Sequence, residues 1–286
     1  MKPCKTWTTI GWLSLATWAS ACGLSNGAGQ RTALDYAYEC EAVLGPLPAF
    51  RYDDALEIPA TKRGVPLSQA SDDPSDCDHP FAFNAPCEPG NRMGRYPGLN
   101  ADGTPNNDVV FITFFRGRGL GVIGHKLSTG QTCFLEIDDF NPRTDAIPRP
   151  GDPNYNDLWS NPAESAQAFN CTDCHMASPF LHSPAVDQLR NPAAPSERML
   201  PSTGLAPYSV IGQDWKSPQT TDIQNSCTAC HRPQCTQHFE NYPLDELTMP
   251  PPFESASAVD HSAVSNADRE AIRRWCGTLN LGFGSD

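Results

Sequence analysis

The sequence lacks a long apolar run and two motifs that mark common catalytic sites. A helix needs about 20 consecutive apolar residues to cross a bilayer, and the apolar stretch from Trp7 to Ala19 is much shorter. The chain contains neither a His-Glu-x-x-His motif nor a Gly-x-x-x-x-Gly-Lys phosphate loop. These absences argue against a transmembrane helix in the mature protein and against hydrolase chemistry.

Basic residues are also scarce. The chain has 20 Lys and Arg against 33 Asp and Glu, which gives a formal net charge of −13. A surface of this sign repels nucleic acid and anionic membranes and attracts basic partners. We therefore expect no nucleic-acid binding, and we expect a partner protein to be basic.

Proline and glycine, in contrast, are plentiful. There are 28 prolines and 21 glycines among 286 residues, and this composition favours turns and short elements over long helices. The length allows one large domain or two modest ones. A linker rich in Pro, Asn and Asp over residues 141–157 predicts a boundary near residue 155.

The N-terminus has the layout of a signal peptide. Lys2 and Lys5 precede the weakly apolar stretch, and Ala19-Ser20-Ala21 stands directly before Cys22. This pattern predicts a signal peptide over residues 1–21 and an exported protein. Small residues before a cysteine also resemble a bacterial lipobox, in which Cys22 would carry a lipid anchor. We therefore expect the protein in the periplasm of a bacterium or, if Cys22 is lipidated, anchored to the outer membrane.

Cysteine usage agrees with export. Four of the 12 cysteines belong to two C-x-x-C-H motifs. Cys4 would be removed with the signal peptide, and Cys22 would carry the lipid. The remaining six can pair with one another in an oxidising compartment. These six are Cys40, Cys77, Cys87, Cys133, Cys235 and Cys276. Their connectivity stays open; we favour Cys77 with Cys87, because the loop is short, and Cys235 with Cys276, because this bridge would tie back a terminal helix.

Secondary-structure signals differ between the two halves. A helix is predicted from Gln30, ending near Gly45-Pro46, and loops held by a disulfide are predicted from Pro59 to Asp108. The run of β-branched and aromatic residues from Val109 to Phe115 predicts a strand. Turn residues 128–131 predict an antiparallel hairpin from Val122 to Ile137, with His125 on its first arm.

The second half carries two motifs of the form C-x-x-C-H, the signature of c-type haem attachment. Two thiols one helical turn apart can each add to a haem vinyl group, and the histidine that follows is placed to ligate the iron. The motifs predict two haem c cofactors. The attachment residues are Cys171, Cys174 and His175 in the first motif and Cys227, Cys230 and His231 in the second.

Two other uses of the C-x-x-C pairs are less consistent with the sequence. A redox dithiol normally lies in a βαβ context, which neither site has. A Cys4 zinc site would need pairs that are about 15–20 residues apart, whereas 52 residues separate Cys174 from Cys227. Zinc or simple disulfides would also leave both histidines unexplained.

Both motifs resemble the haem sites of c-type cytochromes. Met249-Pro250-Pro251-Pro252, followed by a helix over residues 266–275, resembles the distal Met-Pro loop and last helix of small class I cytochrome c domains. The wider layout from Val109 onward resembles bacterial lipoproteins with cytochrome c-like regions. The resemblance implies an electron carrier with a redox partner protein.

The sixth ligand of each haem stays open. The cytochrome resemblance implies Met249 for the second haem, and His238, seven residues after His231, is its rival. His182 lies at the same distance after His175, with Met199 as the alternative.

Together these observations predict an α+β protein. Residues 22–155 would form a loop-rich, disulfide-stapled domain with a small antiparallel sheet, and residues 156–286 an α-rich, cytochrome c-like dihaem domain. The expected function is electron transfer rather than catalysis. The alternatives are a dihaem peroxidase, in which one haem binds peroxide, and an extracellular binding module stabilised by zinc or disulfides.

Overall fold

The structure, a computed structural model, describes residues 31–81, 85–141, 143–168, 171–175, 178–203 and 207–215, with Ala271 and Arg274. All of them belong to one compact unit, Arg31–Asp286. The described strands are β1 Leu56–Glu57, β2 Thr61–Lys62, β3 Val65–Pro66, β4 Arg92–Leu99, β5 Pro105–Arg116, β6 Gly119–Lys126, β7 Gln131–Ile137, β8 Arg190–Asn191, β9 Ala194–Arg198 and β10 Ser209–Val210. The described helices are α1 Ala33–Leu44, α2 Tyr155–Leu158, α3 Pro162–Ala168 and α4 Cys171–Cys174, with 3-10 turns at Pro74–Asp76 and Val186–Gln188.

Helix α1 has clear start and stop signals. Thr32 and Asp35 form a capping box, in which each side chain accepts a hydrogen bond from the other residue's backbone N–H. The helix ends at Gly45, whose φ is +82° and whose Cβ, if present, would lie 2.2 Å from the Leu99 carbonyl oxygen. The prediction of a helix that ends near Gly45 is confirmed.

A six-stranded sheet with the order β1-β4-β5-β6-β7-β10 organises the described residues. Its pairs are antiparallel except for β10, which lies parallel to β7. Strands β6 and β7 form the predicted hairpin, paired from Leu120 with Ile137 to His125 with Thr132. This hairpin prediction, with His125 on the first arm, is confirmed.

Strand β5 is buried on both faces, which explains its unbroken apolar run. Val109, Phe111 and Phe115 pack in the cluster that includes α1, whereas Val110 and Ile112 pack in a second cluster. Successive strand residues point to opposite faces, and a strand that is covered on both sides needs apolar residues at nearly every position.

Helix α1 covers the first face of the sheet. Its Tyr36, Ala37 and Leu44 are buried in the same cluster as Phe111 and Leu120. A disulfide between Cys40 of α1 and Cys133 of β7 joins the helix covalently to the sheet.

Residues 180–200 cover the second face. Phe180, Val186, Leu189, Met199 and Leu200 pack there against apolar side chains of the sheet. The guanidinium group of Arg95 in β4 donates hydrogen bonds to the carbonyl oxygens of Arg198 and Met199, at 3.0 and 3.3 Å.

The predicted fold class is wrong in its second half. The described residues are mostly β, and after residue 155 they contain only short helices together with β8, β9 and β10. An α-rich, cytochrome c-like part is absent from the part of the chain that the structure describes. The physical reason is that the second face of the sheet must be covered, and an irregular segment with one small hairpin covers it. The helix predicted over residues 266–275 lies outside the described residues except for Ala271 and Arg274.

Two disulfides are described. The prediction of Cys77 with Cys87 is confirmed, and Cys40 pairs with Cys133, a connectivity that the sequence left open. Cys235, Cys276 and Cys22, like the predicted signal peptide 1–21, lie outside the described residues. The domain limits 22–155 and 156–286 stay a prediction. Among the described residues, no helix is both long and apolar enough to span a membrane.

Candidate functional site beside Cys171 and His175

The first C-x-x-C-H motif forms one turn of helix at the second face of the sheet. Cys171 and Cys174 are the two ends of α4, and the His175 backbone N–H donates to the Cys171 carbonyl oxygen at 2.8 Å. Cys171 is a free thiol. The motif therefore has the helical geometry that its spacing predicted.

Cys171 and His175 line a cavity of about 290 Å³. This cavity, which we call the cleft, lies between the second face of the sheet and the segments that follow α4. Aromatic and aliphatic side chains dominate its walls, among them Phe81, Phe114, Ile123, Phe134, Phe180 and Leu200. Its polar lining includes Asn91, Arg116, Glu136 and Ser183.

The register of the sheet sets the floor of the cleft. Gly121 of β6 pairs directly with Glu136 of β7, and Ile123 pairs with Phe134. A Cβ atom added at Gly121 would have nothing within 4 Å, so the sheet leaves open space beside the Glu136 carboxyl group. Directly opposite side chains lie about 5 Å apart at Cβ.

His175 is held as a neutral imidazole. Its Nδ1 lies 2.9 Å from the Pro179 carbonyl oxygen, and because a carbonyl can only accept, Nδ1 carries the proton and Nε2 is an acceptor. Burial lowers the pKa of His175 to about 4. The ring also contacts Phe134, with 5.2 Å between ring centroids.

Cys171 and Glu136 are titratable groups at the same end of the cleft as His175. Burial, with a further contribution from Glu136, raises the pKa of the Cys171 thiol to about 12. Burial, with a further contribution from Asp138, raises the pKa of Glu136 to about 7. At neutral pH the thiol is therefore protonated, and the carboxyl group is close to its midpoint.

The predicted sixth ligands for a first haem do not reach the cleft. His182 Nδ1 lies 2.7 Å from an Asp187 carboxylate oxygen, and Asp187 also pairs with Arg198 at 3.2 Å. Met199 is 1% exposed and packs in the core of the second face. Neither residue lines the cleft with His175.

The predicted residues of the second site lie outside the described part of the chain. They are Cys227, Cys230, His231, His238 and Met249.

The structure contradicts the predicted cofactor, two haem c groups. The described residues are mostly β with short helices, and among them no group of three or more His, Cys, Asp or Glu side chains could hold a metal ion. Neither His182 nor Met199, the predicted sixth ligands of the first haem, lines the cleft beside His175. Electron transfer and peroxidase activity both depend on a haem iron, so neither is proposed for this chain.

Glu136, Phe134 and Gly121 were not predicted from the sequence as residues of one site. A signal was present, because alternation along β7 places Phe134 and Glu136 on one face, opposite Cys133, Leu135 and Ile137. A carboxylate in a strand that is buried on both faces is uncommon unless it has a partner or a function.

Comparison with known proteins gives no match: no family model, no curated protein and no solved structure matches the chain. The class that the fold and site define is a mostly β, disulfide-containing protein with one six-stranded mixed sheet and a cleft on its second face.

Proposed function

We propose that this chain is an exported, disulfide-stabilised binding module that takes a small, largely apolar molecule into the cleft. The cavity itself carries the proposal. Its volume of about 290 Å³ is close to the lower end of the range of small-molecule sites, roughly 300–1,000 Å³. Predominantly apolar walls with a few polar groups are the usual composition of such sites.

The protonation states favour binding over thiol chemistry. A thiolate is the reactive form of cysteine, and reactive cysteines have a lowered pKa in an electropositive setting. The pKa of Cys171 moves in the opposite direction, to about 12, because the thiol is buried and lies near Glu136. The thiol therefore serves as a weakly polar wall of the cleft.

Export is supported by two observations. The disulfides Cys40–Cys133 and Cys77–Cys87 belong to a class of bond that persists mainly in oxidising compartments. The sequence before Cys22 has the layout of a signal peptide. We place the protein in the periplasm of a bacterium or, through a lipid on Cys22, at its outer membrane.

Filling the cleft tests the proposal. We expect calorimetric titration with the neutral probe 1-naphthalenemethanol to show binding of one equivalent to the wild-type protein. The Gly121→Leu variant should bind at least about tenfold more weakly, a loss of about 1.4 kcal/mol, because leucine would extend into the open space above β6.

Gly121→Ala is the matched control, since a single methyl group meets no atom within 4 Å and should leave the affinity within about threefold, under 1 kcal/mol. Thermal unfolding of both variants establishes that they are folded. Failure of the wild type to bind either this probe or a cationic analogue, or equal binding of the probe by the leucine variant, would contradict the proposal.

A further inference from the structure

The Glu136 carboxyl group, which interacts with the Asp138 side chain, has one buried oxygen without a hydrogen-bond donor among the described residues. Among the described residues, five buried side-chain nitrogen or oxygen atoms have no hydrogen-bond partner, and Glu136 Oε2 is the one whose residue lines the cleft. A buried carboxylate oxygen without a hydrogen-bond donor loses its hydration without compensation. A ligand group that donates a hydrogen bond to this carboxyl group would compensate the loss.

The space beside this carboxyl group is shaped for a compact group next to an aromatic ring. Gly121, directly across the ladder, leaves the adjacent position without a side chain. Phe134, two residues before Glu136, lies on the same face, and its ring contacts the imidazole of His175. A ligand atom in this space would lie close to a carboxylate, an aromatic ring and an imidazole.

The charges at this end of the cleft favour a cation. His175 Nε2 is an acceptor, because Nδ1–H is directed to Pro179. Arg116, the one Lys or Arg among the described residues of the cleft wall, donates its Nε–H to a Glu88 carboxylate oxygen at 2.7 Å. The residues at this end of the cleft therefore carry acceptor atoms, on His175 and Glu136, and the Arg116 guanidinium is engaged with Glu88.

We propose that the end of the cleft formed by Glu136, Phe134, His175 and Gly121 recognises an ammonium group, and that the ligand is a small aromatic or alkyl amine. This inference rests on the proposed function and names the ligand class of the same cleft. An ammonium would form a charge-assisted hydrogen bond with the Glu136 carboxylate and a cation–π contact with the Phe134 ring. The apolar walls would hold the remainder of the molecule.

Three probes with one naphthalene ring system test the inference: 1-naphthylmethylamine, 1-naphthalenemethanol and 1-naphthoate. Calorimetry on the full chain should show that the amine binds at least about tenfold more tightly than the alcohol, a difference of about 1.4 kcal/mol. The carboxylate should bind most weakly. The Glu136→Gln variant should lose the preference for the amine and keep the affinity for the alcohol.

Glu164→Gln is the matched control. Glu164 is an exposed acid on α3 that is not part of the cleft wall, so this variant should keep the preference for the amine. Failure of both neutral and cationic probes to bind the wild type would refute the proposed function itself. Equal binding of amine and alcohol, or a preference that survives Glu136→Gln, would overturn the inference and leave the proposed function standing.

A pH profile provides a second measurement that does not depend on a variant. An alkylammonium stays protonated between pH 6 and 8, as lysine does, whereas the Glu136 carboxyl group titrates within this range. The titratable groups that interact with it are Asp138, beyond the end of β7, and Cys171 on α4. Amine affinity should rise severalfold from pH 6 to pH 8 and alcohol affinity should stay constant; an amine affinity independent of pH would overturn the inference.

Discussion

At the scale of single residues, the Tyr36 hydroxyl connects three parts of the chain. It accepts a hydrogen bond from the Phe134 backbone N–H at 3.2 Å and another from Trp215 Nε1–H at 3.0 Å. Tyr36 is 1% exposed, so water cannot replace a lost acceptor at this position. The hydroxyl therefore holds α1, β7 and the segment near Trp215 together.

Replacement of Tyr36 by phenylalanine should destabilise the protein by about 2–4 kcal/mol, because two buried N–H donors lose their acceptor. Urea unfolding measures this loss. The control is Tyr38→Phe two residues later in α1, where the side chain is 49% exposed and the change should stay within about 0.5 kcal/mol. Equal stability of the two variants would show that the hydroxyl of Tyr36 contributes nothing.

At the scale of elements, Gly130 decides how β10 joins the sheet. The residue ends the turn before β7, has a φ of +76° and would place a Cβ atom 1.6 Å from the Pro207 carbonyl oxygen. The Ser209 backbone N–H donates to the Gly130 carbonyl oxygen at 3.0 Å. Any side chain at residue 130 would force the segment before β10 away.

Gly130→Ala should therefore cost more than its backbone strain alone. Gly64 has nearly the same φ, +75°, and nothing within 4 Å of an added Cβ atom, so Gly64→Ala should cost only about 1–2 kcal/mol for the left-handed conformation. We expect Gly130→Ala to cost about 1–3 kcal/mol more through overpacking. The loss should appear in urea unfolding and in faster amide exchange at Ser209; equal costs for the two variants would contradict the close approach.

The sequence predicted individual elements better than their connections. The α1 helix, the β6–β7 hairpin and the Cys77–Cys87 bridge were predicted correctly because caps, turn residues and a short loop are local signals. The bridge between Cys40 and Cys133 spans 93 residues, and no local signal selects it among the possible partners. The α-rich second half was predicted wrongly because the two C-x-x-C-H motifs were taken to define the fold around them.

At the scale of the whole molecule, buried histidines make stability depend on pH. His125 is 0% exposed, with Nδ1 at 2.8 Å from the Thr132 hydroxyl oxygen and Nε2 without a hydrogen-bond partner. Burial lowers the pKa of His125 to about 4, below the value of about 6.5 in an unfolded chain. The unfolded state therefore binds a proton first, and stability is lost as the pH falls from about 6.5 to about 4.

Glu136 acts in the opposite direction. Burial raises the pKa of its carboxyl group to about 7, so the stability that the neutral carboxyl provides is lost as the pH rises through about 7. Stability curves of the wild type therefore contain the contributions of His125, His175 and Glu136, and a variant is needed to isolate that of His125.

Comparison of the wild type with His125→Leu isolates that contribution. Between pH 6.5 and pH 4 the wild type should lose about 3 kcal/mol more stability than the variant, from a pKa difference of roughly two and a half. Urea unfolding at a series of pH values measures the difference. His79→Leu, at an exposed position, should keep the wild-type slope; a His125→Leu curve parallel to that of the wild type would contradict the assignment.

The sequence by itself determined the local features of this protein: the capped helix α1, the unbroken apolar strand β5, the hairpin after it and the short disulfide. Each depends on residues close together in the chain, whose spacing or chemistry allows few conformations. Only the tertiary structure decided what covers each face of the sheet, which cysteine meets Cys40, and that Glu136, Gly121 and His175 share one cleft. These outcomes depend on contacts between distant segments. Many alternative pairings satisfy the same local pattern, and the burial of apolar area selects one arrangement among them.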